Sequence, residues 1–564
     1  MASNEGEVLC NIQSRCGFYC RNALTFRPCE DHTNHHSKER KKKKEAKKKA
    51  SKHGMPQCRW NASYNILRAH GKLSLEEESI AHQISHVQAR FPGSDFAAVR
   101  LVRLAGILIK YEKQQLRSES LHTTDATAPA TTQNATTATA ATAAAAATAT
   151  TTAERDAPCK EETSRPMSAA PPESTEADEG AEANASMGQP HSVHPHSRSG
   201  AVPHESVDTV RRIIAAFENY RFWPTDPGED EMIFWSENHM ICYASTQFLV
   251  EQWRAERSTK ATTCAFPLGD EPPLPESRAR HRVESFLQLK LQYGFFEFNS
   301  TSYIGFTLAA LLNLVDFSDD LTIARLAKEC TDRLIAGVLA FAMPSGAFFS
   351  VTGRGYLKHR CRGSGFDINV VIWLLTGLGP PPTSSIKNTA SFLATSSYCD
   401  SLSDDTARQW QLTPISQWKI GAPISSVVAQ MRSDPFLAQN FEFVPFLWSM
   451  GGYFHPEVVG HTVEFIRHTR STPGVKNLWT HHHFRALSHL RLFSSSALCY
   501  LAQCLRPLTV GSSLTDQSIR LFKRGDVLLS TVRSREAGCV GYQKVGSNAD
   551  DTAPLPEMLY IVAL

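Results

Sequence analysis

The chain lacks any apolar run of about 18 residues, the length a membrane-crossing helix needs, so no transmembrane segment is expected. Its first residues, Met1–Cys10 (MASNEGEVLC), lack a basic start and an apolar core, so no secretory leader is expected. Intracellular is then the default compartment, with the cysteines reduced. There is no CxxC pair among the 14 cysteines. Cys10, Cys16, Cys20, Cys29 and Cys58 open the chain, with His32, His35 and His36 nearby, but the spacing does not suit zinc. No Walker-type loop and no dinucleotide fingerprint after a strand occur, so neither a metal nor a cofactor is expected. A net charge of +3 gives no overall case for specific nucleic-acid binding.

What positive excess there is sits in one place. Lys38–Lys52 contributes +8, which leaves the remainder of the chain at −5. Such a run is a solvated, self-repelling tail suited to polyanions or to a nuclear address. Around it the 564 residues divide by composition. Residues 1–58 read as a disordered Cys- and Lys-rich leader. Residues 59–117 read as a small helical module: Ile80, Ile84 and Val87, then Phe96, Val99, Val102 and Leu104, recur at near-helical spacing across a turn at 91–95. Residues 118–205 are Thr/Ala-rich and then Pro/Ser/Glu-rich, with nothing large to bury, and read as a disordered linker that sets the front apart from the back.

Residues 206–510 carry most of the aliphatic and aromatic content. Helices are expected at 207–217, 240–253, 282–293, 303–315 and 321–342, with others near 368–376, 423–431 and 456–468. Residues 511–564 turn β-rich. Gln517–Lys523 and Asp526–Val532 form a hairpin about Arg524-Gly525, and Val540–Val545 supplies a third strand. The fold class is mainly α, helical hairpins side by side leading into a short antiparallel β region that is either truncated or packed against the helices.

Two segments stand out in the helical part. Tyr220–His239 reads YRFWPTDPGEDEMIFWSENH, and Tyr293–Tyr303 reads YGFFEFNSTSY. Ser236 is placed to cap a helix, with Glu237, Asn238 and His239 in its first turn, where free N–H groups and the helix dipole favour anions. Histidine titrates near neutral pH. The plainer account makes Glu237 and Asn238 part of the cap, His239 a buried histidine, and Asn299 and Ser300 the start of the next helix.

With helices after each, these segments resemble the (α/α) toroid, or six-hairpin, carbohydrate-active enzymes. In particular they resemble the heparinase II/III-like and alginate-lyase-like polysaccharide lyases and their uncharacterised relatives. Gly353-Arg354-Gly355-Tyr356, Leu528-Leu529-Ser530 and Gly538–Gln543 fit the same pattern, so the resemblance spans roughly residues 206–543. It implies β-elimination on an acidic polysaccharide or oligosaccharide. Asn238 would neutralise the uronate, His239 would be base or second neutraliser, and Tyr303 proton donor or base. Arg354 and Tyr356 would bind the acidic sugar, with Glu237, Glu297 and Asn299 at the same cleft. Glu237 and Glu297 together would instead suit a glycoside hydrolase, whose two carboxyl groups stand roughly 5–10 Å apart. The short β region fits a third reading, a non-catalytic helical scaffold or degenerate relative.

Overall fold

A computed structural model describes residues 11–22, 77–90, 93–125, 204–228, 232, 236–262, 278–349, 354–356, 363–364, 366–382, 388–420, 423–470, 477–481, 484–489, 491–509, 517–533, 543–545 and 557–563. The basic run 38–52 lies outside them, as do most of the leader and the Thr/Ala tract. The described residues are mainly helical with two small antiparallel sheets.

The helices that matter for the site are α1 (Ile12–Asn22), α2 (Glu77–Gln88), α3 (Ser94–Asp125), α4 (His204–Ala216), α5 (Glu237–Thr262), α6 (Arg278–Tyr293), α7 (Ile304–Phe317), α8 (Leu321–Ala340), α9 (Asp367–Thr376) and α10 (Asn388–Ala394). Helix α7 (IGFTLAALLNLVDF) is apolar on all sides, as a helix enclosed by others must be. It packs against α5, α8 and α10, while α6 packs against α5 and α8. Asp320 starts α8 by accepting the N–H groups of Thr322 (2.9 Å) and Ile323 (3.1 Å), the usual chemistry of an acidic cap.

The front of the chain is not a separate module. Among the described residues, those of Met1–Gln114 and of Val202–Leu564 form one compact unit. The near-helical stripe on α3 is the cause: Val99, Leu101, Val102, Leu104, Ala105 and Leu108 are all buried. On the same helix, buried Arg103 ion-pairs with Asp316 of α7 and donates to the Phe392 carbonyl and Thr395 Oγ1, both at 3.1 Å. Gly106 lets α3 approach the Phe317 ring, which a Cβ there would meet at 2.6 Å. A compositional linker reports freedom between two segments and says nothing about whether their apolar faces meet.

The leader likewise contributes a helix, where disorder was expected across 1–58. Ile12, Cys16, Tyr19 and Cys20 of α1 are buried. Arg15 donates to the carbonyls of Leu374 (2.9 Å) and Leu375 (3.0 Å), which end α9, and pairs with Asp404 at 2.9 Å. A cation on the carbonyl end of a helix meets its negative dipole pole.

The sheets depart from a simple three-stranded tail. The hairpin β3 (Gln517–Arg524) and β4 (Val527–Arg533) forms as the sequence predicts, with Leu521 opposite Ser530. It sits inside a four-stranded sheet of order β2-β3-β4-β6, where β2 is Ile415–Ile420 and β6 is Glu557–Ala563. Gln543–Val545 (β5) pairs instead with β1 (Arg354–Tyr356), Arg354 opposite Val545. The sheet is anchored to the helices by Lys523, whose Nζ donates to the carbonyls of Ala340 (2.9 Å) and Ala342 (3.2 Å) and to that of Gln411. Burial pushes this ammonium down to about 8.

Candidate functional site

The two distinctive segments meet. Helix α5 opens at Glu237, and the turn 294–303 leads into α7. Each supplies a carboxylate that accepts from the other's backbone N–H groups. Glu237 accepts the N–H of Phe296 (3.2 Å) and of Glu297 (2.6 Å). Glu297 accepts the N–H of Asn238 at 3.1 Å, so a side chain about sixty positions away caps the start of α5. Ser236, expected to cap this helix, donates its hydroxyl to Asn238 Oδ1, which also accepts the N–H of His239 at 2.9 Å.

Two carboxylates this deeply buried need a cation, and Lys290 of α6 supplies it. Its Nζ lies 2.6 Å from Glu237, with the two side chains 0 % and 1 % exposed. The same ammonium sits 3.6 Å from the centroid of Phe296. Burial pulls the Lys290 ammonium below its ordinary range, although the Glu237 charge and hydrogen bond oppose it.

His239 faces a different partner. Its Nδ1 lies 2.7 Å from Oδ2 of Asp95 on α3, the carboxylate fully buried and the imidazole 12 % exposed. Burial alone would lower its pKa. The Asp95 charge and hydrogen bond, with the Glu297 charge, outweigh that and hold the imidazole above its usual 6.5. Phe96 stacks on the imidazole (centroids 4.8 Å apart) and also on Phe306 (3.8 Å). Neither Asp95 nor Phe96 stood out as a site residue in the sequence, because they lie some 144 positions from the histidine and read as a helix cap and an apolar stripe. Lys290 was also missed. Its one signal is a lone cation in the apolar run FLQLKLQY just before the second segment.

Several polar atoms of these segments remain over. Asn238 Nδ2, Asn299 Nδ2, Ser300 Oγ, Thr301 Oγ1 and Asp95 Oδ1 are buried with no hydrogen-bond partner among the described residues. Most buried polar groups are paired, so leftover polar atoms on these two contacting turns and on α3 mark places with work other than packing. Asn299 also takes φ +52°, a left-handed conformation that asparagine tolerates better than most residues.

Residues of the turn line two cavities. The first, lined by Glu237, Glu297, Asn299 and Trp418, has a volume of about 20 Å³. Since a single water needs roughly 10–15 Å³ on this measure, that space fits one water and no sugar ring. The second, lined by Phe96, Arg100, Thr301, Ser302, Phe306 and Thr389, has about 200 Å³.

Of the residues singled out in the sequence, Glu237, Asn238 and Glu297 are bonded together and Asn299 shares the smaller cavity. His239 and Tyr303 line neither cavity. Tyr303 is half-buried at the start of α7, its carbonyl accepting from Phe306 (3.0 Å) and Thr307 (3.2 Å). Arg354 and Tyr356 lie in β1, and their side chains are outside the described residues. Among the described residues, no group of three or more His, Cys, Asp or Glu is placed to hold a metal ion.

Comparison with protein families, with curated proteins and with solved structures finds no match.

Proposed function

We propose that this is a carbohydrate-active protein built of helical hairpins in the manner of an (α/α) toroid, which cleaves an acidic polysaccharide by β-elimination. The observation that carries the reading is the His239–Asp95 pair: a nearly buried imidazole, held by a buried carboxylate, next in the chain to Asn238, whose Nδ2 has no partner among the described residues. A carboxylate fixing Nδ1 leaves the other ring nitrogen for chemistry, the arrangement by which proton-transferring histidines are oriented.

In the elimination, a base takes the proton from C5 of a uronate, the C4–O4 bond breaks as the C4–C5 double bond forms, and O4 leaves with a proton. An imidazole held above its usual range suits the cationic roles, neutralising the uronate carboxylate or protonating O4. Asn238, with Nδ2 uncommitted, is a second neutraliser, and Tyr303 is left as the base. Arg354 and Tyr356 keep their assignment as sugar-binding residues by resemblance alone.

A hydrolase working through Glu237 and Glu297 is less well supported. Glu237 already holds two N–H groups and Lys290, and Glu297 caps α5. Those same bonds favour the second reading, a non-catalytic helical body in which the two segments serve to join helices.

The test is incubation of the full chain with a panel of uronic-acid polymers. New ultraviolet absorbance from an unsaturated uronide, lost in His239→Ala, is the expected result. Reducing ends without that absorbance would make it a hydrolase, and silence in both assays would leave the scaffold.

A further inference from the structure

A second stretch of one-signed charge lies near the end of the helical part. Residues 465–515 hold six Lys or Arg and no Asp or Glu, a local +6 inside a remainder that totals −5 once the basic run is set aside. Such a surface would be merely solvated but for what it surrounds. The turn at 491–493 leads into α12 (Ser495–Cys504), whose N-cap Ser494 accepts the N–H of Ala497 at 3.2 Å. In that turn Leu492 is 90 % exposed and Phe493 49 %.

Helix α12 packs on α11 (Val459–Arg470), where Gly460 lies close to Cys499, and it buries Leu498 and Ala502. Tyr500, Leu501 and, just past the helix end, Leu505 stay exposed, Tyr500 at 73 %. Single exposed apolar residues are ordinary, but five large ones within residues 492–505 make a patch, and such patches mark docking surfaces.

The cations stand around the turn. Arg467 of α11 donates to the carbonyls of Arg491 and Phe493, both at 2.8 Å, which places its guanidinium at the apolar tip. Arg485, His489 and Arg491 are themselves exposed. The one acid on α11, Glu464, lies 3.7 Å from His461.

Shape and charge together say what covers this surface. A leucine nearly free of neighbours at the tip of a turn is a knob, and charge of a single sign sets no register. A protein partner is fixed by packed pockets and by complementary charges. An anionic bilayer asks for neither. It admits apolar knobs of any arrangement into its headgroup–acyl boundary and attracts each Lys or Arg beside them. Tyrosine suits the same boundary, its ring in the apolar layer and its hydroxyl in water.

We propose that the turn at 491–493 and the exposed side of α12 dock on an anionic lipid surface, with Leu492 and Phe493 inserted and Arg467, Arg485 and Arg491 against the headgroups. Docking of this kind needs no membrane-crossing helix, and none occurs among the described residues. The inference stands apart from the lyase reading.

The basic run at 38–52 suits any polyanion, so the test starts from the full chain with Lys→Gln at 41–44 and 47–49. This parent is floated with vesicles of phosphatidylcholine, alone or with an equal part of phosphatidylserine. Binding at least tenfold tighter to the anionic vesicles is expected. Leu492→Ser/Phe493→Ser should weaken it at least tenfold and leave the melting temperature nearly unchanged, because both positions are at the surface. Arg491→Gln should weaken it about fivefold, the worth of one basic side chain at an anionic surface. No flotation, equal binding to the two vesicles, or a double-serine variant that binds as its parent does overturns the proposal. So does a parent that ignores vesicles but sediments as a dimer, dissolved by the same double variant, since the patch would then be a contact between copies.

Discussion

Glu237 and His239 lie two residues apart in the first turn of one helix, yet their surroundings make them opposites. Glu237 is saturated: two backbone N–H groups and an ammonium share its carboxylate. His239 is held by one nitrogen, and the carboxylate that holds it has an Oδ1 with no partner among the described residues. The first arrangement can do little but hold helices together. The second positions a titrating group and leaves it capacity. A motif read as one unit in sequence is therefore two devices in space, and the largest expected effect tests the structural one. Lys290→Met leaves Glu237 and Glu297 buried without their cation, and removing one partner of a buried ion pair costs about 3–5 kcal/mol. Denaturant unfolding should register this, and the double variant Glu237→Gln/Lys290→Met should recover part of it. A loss below about 1 kcal/mol in Lys290→Met would show that the ammonium is not what balances the pair.

How much of this was legible beforehand follows from the range over which each signal acts. Helices α5 to α8 were readable because long apolar stretches bounded by Gly, Pro, Asp and Ser specify a helix locally, and β3–β4 because alternation about Arg524-Gly525 specifies a hairpin. The meeting of the ENH and FEFNST segments was anticipated as convergence on a cleft. What forms among the described residues is a reciprocal pair of caps around a space for one water, since a carboxylate beside unpaired N–H groups closes on them when no ligand competes. The partners of the site were out of reach for one reason: Asp95, Phe96 and Arg100 read as ordinary members of an amphipathic helix until α3 is seen packed on α7. The strand pairing of β1 with β5 and of β2 with β3 is equally non-local, and no turn or spacing encodes it.

A middle-sized effect tests the other device. Asp95→Asn keeps the shape and removes the charge beside His239, with an expected loss of about 1.5–3 kcal/mol, the range for a hydrogen bond to a charged group. Its sign with pH is fixed by the direction of the shift. The folded-state imidazole sits above its unfolded value of 6.5, so the pair stabilises fully below 6.5 and ceases to as pH rises through the folded pKa. The gap in unfolding free energy between wild type and Asp95→Asn should be widest on the acid side and narrow on the alkaline side. A gap that is constant across that range would mean His239 is neutral throughout and that Asp95 acts only as an acceptor.

The smallest effect is the one that joins the two devices. Glu297 caps α5 beside Glu237, and its charge also raises both His239 and Lys290. Glu297→Gln keeps an oxygen for the Asn238 N–H, so the cap weakens from charge-assisted to neutral and stability falls by about 1 kcal/mol or less. The charge, however, is gone from both neighbours. Nuclear magnetic resonance titration of the His239 ring should then give three ordered curves: wild type highest, Glu297→Gln slightly lower, Asp95→Asn lowest, since Asp95 acts through both charge and a direct hydrogen bond while Glu297 acts through charge alone. If Glu297→Gln lowered the imidazole more than Asp95→Asn did, the caps and the imidazole would be one coupled system, and the division between a structural glutamate and a working histidine would fail.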